Sequence, residues 1–174
     1  MKTLSLHIIA LGATMTLAAC AATPGPDALA ATRQDAETIT VAVGPCFGFC
    51  PVYSTAIAPD GVVRFDGQRH TAMLGVRTRS VGVAGYRALA RELEAFRPAS
   101  GTEAVVDCTA AVSDTSAFTV TWTGAAGDKT TATVQSGCPG GQGRALVDLL
   151  RSLPDRLGTG EWAKQTTRPG TSRG

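Results

Sequence analysis

Alternation of polar and apolar positions is clearest at two places along the chain. Residues 38–43 step between Thr or Ala and Ile or Val, and residues 118–123 set Phe118, Val120 and Trp122 against Thr119, Thr121 and Thr123. A period of two is that of a strand with one buried face. Residues 52–58 and 62–66 are apolar, β-branched runs joined through Pro59-Asp60-Gly61, and Asp-Gly between such runs predicts a hairpin. A further strand is expected within 77–83, after which Tyr86, Leu89, Ala90, Leu93 and Phe96 recur at helical spacing up to the stop at Pro98. The plan then repeats: 118–123 and 130–135 flank a Gly-rich turn, and Leu146, Leu149, Leu150 and Leu153 line a second helix. Two successive units of hairpin then helix predict an α+β domain, an antiparallel sheet with both helices packed on one face.

The first residues follow another pattern. Lys2 precedes a mostly apolar run over 4–19, short for a permanent membrane-spanning helix and fitting a signal peptide. It ends in Leu17-Ala18-Ala19-Cys20, which resembles a lipobox, where small residues suit the peptidase and the thiol accepts the lipid. Residues 21–38 are Ala, Pro, Thr, Gly and Asp without apolar periodicity, as in a flexible tether. The expected organisation is therefore a signal peptide at 1–19, lipidated Cys20 and a tether at 20–38, one domain at 39–157, and a tail at 158–174 that is mobile beyond Trp162. Ala21 rather than Asp follows the lipidated position, which favours the outer membrane, facing the periplasm. The membrane is thus an expected partner through the N-terminal lipid.

Charge adds little to this picture. The chain has 16 basic and 14 acidic residues, and loss of Lys2 with the signal peptide leaves the mature part close to neutral. Only 5% of residues are aromatic and no basic block occurs, so nucleic acid is set aside as a partner.

The cysteines matter more. With Cys20 lipidated, Cys46, Cys50, Cys108 and Cys138 remain, an even number in an oxidising compartment. Three pairings exist, and spacing favours Cys46 with Cys50 and Cys108 with Cys138, the latter pair bracketing the second hairpin. By chain entropy the longer loop contributes about 3.7 kcal/mol and the shorter about 2 kcal/mol. Cys46-x-x-x-Cys50-Pro51 also resembles the copper and redox motif of synthesis-of-cytochrome-oxidase proteins, in which two thiolates and a distant His hold the metal. On that alternative Cys46, Cys50 and His70 form the metal or redox site; on the first reading there is no metal and no cofactor. Those proteins carry the motif before a helix, whereas a strand and hairpin are expected here.

Cys46-Phe47-Gly48-Phe49-Cys50-Pro51-Val52-Tyr53, with Ile57, the Asp60-Gly61 turn, Phe65, Gly67 and later Ser113-Asp114, resembles the bacterial family known as domain of unknown function 6438, over about 39–157. The resemblance implies an envelope-associated domain, often on lipoproteins, and brings no catalytic residues with it. Cys108 and Cys138 are not a hallmark of that family.

The remaining candidates are weaker. His70 has no recognisable nucleophile or orienting carboxylate by spacing and reads as a loop residue. Gly137-Cys138-Pro139-Gly140-Gly141-Gln142-Gly143 opens a helix, lacks the phosphate-binding loop signature, and reads as a disulfide-tied helix entry rather than an anion site. Asp60 and Asp114 suit turns. Phe47 and Phe49 are read as core if turned inward, the favoured reading, and otherwise as a possible partner surface with Tyr53. Taken together, the sequence points to a non-catalytic, disulfide-stapled binding or structural module of the envelope, with a possible envelope protein partner; the alternative is a periplasmic thiol-redox or copper-handling protein using Cys46 and Cys50.

Overall fold

The computed structural model describes residues 37–166. The predicted signal peptide, Cys20 and most of the tether lie outside the described residues. Strands β1 (Thr38–Val43), β2 (Val52–Ile57), β3 (Val62–Arg69), β4 (Gly75–Ser80), β5 (Glu103–Val105), β6 (Ala117–Thr123) and β7 (Lys129–Gln135) alternate with helices α1 (Gly82–Glu94), α2 (Gly141–Arg156) and α3 (Gly160–Ala163). The strands form one sheet in the order β4-β3-β2-β1-β6-β7-β5, so the first strand of the domain is its centre. Neighbours are antiparallel except β5, which runs parallel to β7. The fold is thus α+β, with a mostly antiparallel sheet. Strands β1, β4 and β5 lie outside the two expected hairpins; β1 and β4 answer to the strands expected at 38–43 and within 77–83, β5 to none, and the sheet is larger than two hairpin-plus-helix units supply.

Register explains the core. Val41 sits opposite Thr55 on one side and Val120 on the other, and Ile57 faces Val63. The buried residues Ile39, Val41, Ile57, Val63, Phe65, Phe118, Val120, Trp122, Ala132 and Val134 therefore share one face. Helix α1 buries Tyr86, Leu89, Ala90 and Leu93, and α2 buries Leu146, Val147, Leu150 and Leu153. Both sets join these sheet residues, Phe65 excepted, in one cluster, each large side chain contributing about 1.5–3 kcal/mol on burial. Thr40, Thr119, Thr121, Thr131 and Thr133 line the other, half-exposed face. Arg156 of α2 holds Glu92 of α1 through two bonds of 2.6 and 2.8 Å.

Packing continues past Leu157, where the sequence suggested that the domain gives way to a tail. Thr159 and Ala163 are buried, Trp162 packs on Phe65 with ring centroids 5.9 Å apart, and Arg79 reaches across to the Gly158 carbonyl. Backbone bonds from Ala72 to Lys164 and from Thr166 to His70 tie this segment down to the last described residue. Its Gly residues make it look like a tail in sequence, but Trp162 covers the part of the sheet face around Phe65 that a helix would otherwise have to cover.

An ion pair stands at the start of β1. Glu37 receives two hydrogen bonds from Arg97, each 2.6 Å, with both side chains at most 5% exposed. The Arg97 guanidinium lies 5.3 Å from the Trp122 ring centroid, and the Glu37 carbonyl accepts the Tyr86 hydroxyl.

Candidate functional site

Strand directions gather the chemistry at one end of the sheet. Because β1, β3, β5 and β7 run one way and β2, β4 and β6 the other, the segments 44–51, 70–74, 106–116 and 136–140 all meet at the same end. They carry all four domain cysteines, His70, Phe47 and Phe49. Glu37 and the Asp60-Gly61 turn lie at the opposite end.

Cys46 is joined to Cys50 and Cys108 to Cys138, with Cα atoms 5.7 and 5.6 Å apart. These are the pairings that spacing favoured. The Cys46–Cys50 loop is fixed further by backbone bonds from Phe47 to Asp114 and from Gly44 to Ala117, and by the Gln165 amide donating to the Phe49 carbonyl at 2.8 Å. Gly48, at φ 149°, takes a conformation that L side chains rarely adopt, which the tight loop requires. The second disulfide seats α2: Gly143 donates its backbone N–H to the Asp107 carbonyl at 3.1 Å, and a Cβ there would stand 2.6 Å from the Cys138 sulfur. That N–H is thus committed inside the protein, in keeping with a tied helix entry rather than an anion cradle.

Phe47 is 92% exposed, so the favoured core reading of this side chain is overturned. The disulfide and the Gly48 turn leave it on the outside of a five-residue loop with nothing to pack on. Phe49, 41% exposed, likewise lies outside the core, and it meets the His70 ring edge-on, centroids 5.4 Å apart and planes at 83°. Tyr53 is not beside Phe47; it stacks on Phe65 at 5.3 Å, within the domain. His70 adopts φ 59° and presents its ring to Phe49. Both sulfurs of Cys46 and Cys50 are committed to each other, and no group of three His, Cys, Asp or Glu side chains able to hold a metal occurs among the described residues. Asp60 accepts the Val62 backbone N–H at 2.9 Å and Asp114 sits at φ 61°, each in a turn at opposite ends of the sheet.

Beneath the Cys46–Cys50 loop lies a feature the sequence did not reveal, an open groove of about 540 Å3. Val43, Pro51, Phe118, Pro154 and Ala163 supply its apolar surface; Tyr53, Ser116, Ser136, Arg151, Asp155 and Lys164 supply polar groups. Its walls come from the ends of β1, β2, β6 and β7, from α2 and from the segment after Leu157. Burial pushes the Tyr53 phenol up to about 12, so it stays protonated as a donor throughout the ordinary pH range. Only Cys50, Pro51 and Tyr53 of the local Cys-Pro-Val-Tyr run hinted at this site, since its other residues are scattered over more than a hundred positions.

Comparison with known proteins agrees with this geometry in placing the distinctive loop inside a recognised domain. No curated protein matches the chain. A family model described as a domain of unknown function, DUF6438, matches residues 37–155, most of the chain, and the protein belongs to that family.

Proposed function

We propose that this protein is a non-catalytic binding module of the bacterial envelope, anchored through a lipid on Cys20 and using the disulfide-closed end of its sheet to hold a protein partner. One observation carries the binding reading: Phe47 is 92% exposed on a loop closed by the Cys46–Cys50 disulfide and tied by backbone bonds to 112–117. A backbone fixed in this way loses little further conformational freedom when the aromatic ring it carries docks, which is what an interface anchor needs. Leu74 and Val112, 61% and 59% exposed, stand on two other loops at the same end. They add exposed apolar side chains to the end of the sheet that Phe47 occupies, and exposed apolar surface marks interaction sites. The lipobox-like Leu17-Ala18-Ala19-Cys20 supports the envelope anchor.

The test replaces Phe47 by a photo-crosslinking aromatic in the native envelope, alongside Phe47→Ser. The expected result is one discrete crosslinked envelope protein, lost when the probe is moved to Thr121 on the open sheet face, and a Phe47→Ser domain as stable as the wild type. A diffuse ladder, or crosslinks of equal yield from both positions, would refute the partner surface. Labelling with a clickable palmitate analogue, present in wild type and absent in Cys20→Ala, tests the anchor separately.

A further inference from the structure

Three hydroxyls in the groove have no partner among the described residues. Tyr53, Ser116 and Ser136 line it, and none of their hydroxyl oxygens hydrogen-bonds to another described residue, although Ser116 is only 7% exposed. Arg97 Nε is the one unpartnered side-chain atom closed off from solvent among the described residues, so water reaches these hydroxyls, and an occupant that presented only hydrocarbon would displace that water at a cost. The charges are also uneven. Arg151 is steadied at the rim by donating one N–H to the Ser136 carbonyl at 2.8 Å, which leaves its other N–H groups for a ligand. Lys164 faces the same space, its ammonium 3.8 Å from exposed Glu161. The single carboxylate in the lining, Asp155, lies against Gly160. Val43, Phe118, Pro154 and Ala163 leave an apolar floor between these groups, and the volume of about 540 Å3 falls within the usual range of ligand sites.

We propose that this groove binds the free C-terminal end of a peptide whose last side chain is apolar. The floor takes that side chain, Arg151 and Lys164 take the terminal carboxylate, and the hydroxyls of Tyr53, Ser116 and Ser136 pair with the last amide groups. A fatty acid shares the carboxylate and the apolar part, but its chain leaves the three hydroxyls unpaired, so the peptide is the occupant the lining fits. The inference rests on the reading of this end of the sheet as a binding end, though on residues other than those of the Phe47 loop.

The full chain is titrated by calorimetry and by amide chemical shifts with acetyl-Ala-Ala-Phe as free acid, with its C-terminal amide, and with decanoate. The expected result is saturable binding of the free acid, shifts at Tyr53, Ser116 and Ser136, and about tenfold weaker binding of the amide, the size of one charge-assisted contact. Arg151→Gln combined with Lys164→Gln abolishes the preference for acid over amide, whereas Arg91→Gln, on α1, keeps it. Equal affinity for acid and amide overturns the carboxylate site, tighter binding of decanoate overturns the peptide assignment, and no binding of any probe overturns the proposal altogether. Any of these failures leaves the Phe47 crosslinking result standing, so the two readings fail separately.

Discussion

Tyr53 is where the fold alters a side chain's chemistry most. An unfolded chain loses this proton near pH 10, while the buried phenol holds it to about 12. The folded state therefore binds the proton more tightly, so the contribution is complete below pH 10 and is lost as pH rises from there to about 12, by about 3 kcal/mol. Urea unfolding at a series of alkaline pH values should show that decline, and Tyr53→Phe should remove its steepest part; an unchanged slope would place the titration elsewhere. Glu37 and Arg97 give a second residue-scale prediction. Their hydrogen bonds raise the Arg97 pKa above its ordinary value, so its charge is constant at any working pH. Arg97→Met leaves a buried carboxylate without a partner, at a cost of about 3–5 kcal/mol, and should lower the unfolding midpoint accordingly. Glu37 reads as part of a tether because its partner lies 60 positions away, and no local pattern announces so distant a pair.

Regular elements were legible where they had length and period. Strands β1, β2, β3, β6 and β7 and helices α1 and α2 follow the alternations and repeats visible in the chain, because a half-buried strand or helix must show its buried face in its residue order. Strand β5 was not legible: its three residues are all exposed and are a strand only by pairing with β7. Helix α3 was hidden by Gly158 and Gly160, with Trp162 the one sign that the segment packs. Removing that cover by Trp162→Ala should cost about 2 kcal/mol, visible as a lower melting temperature, since the half-buried indole shields Phe65. The entry to α2 is tighter. Gly143→Ala would force its methyl to within 2.6 Å of the Cys138 sulfur and 2.7 Å of the Asp107 carbonyl, with an expected loss of about 1–3 kcal/mol; a variant of wild-type stability would mean that the helix start yields easily. Replacing Cys108 and Cys138 together by Ser should cost about 3.7 kcal/mol by chain entropy, more than the same change at Cys46 and Cys50.

At the scale of the molecule the two ends of the sheet are built differently. One carries both disulfides, the groove and the exposed Phe47, Leu74 and Val112; the other carries the Glu37–Arg97 pair and the Asp60-Gly61 turn. The candidate site was half readable: the cysteines and phenylalanines stood out as a cluster, but the groove is assembled from four strand ends and two helical segments, and only topology brings those together. The exposure of Phe47 was not readable either, since a phenylalanine between two cysteines looks the same in sequence whether it points in or out.

The central position of β1 has a mechanical consequence. The described chain enters at Glu37, runs straight through β1 and emerges at the Cys46–Cys50 loop, with β2 and β6 hydrogen-bonded along either side. A pull on the N-terminal side, opposed by something gripping that loop, is carried along a single strand in shear, so the bonds to both neighbours share the load at once instead of parting one after another. The strand that organises the core is also the shortest line of tension through the domain.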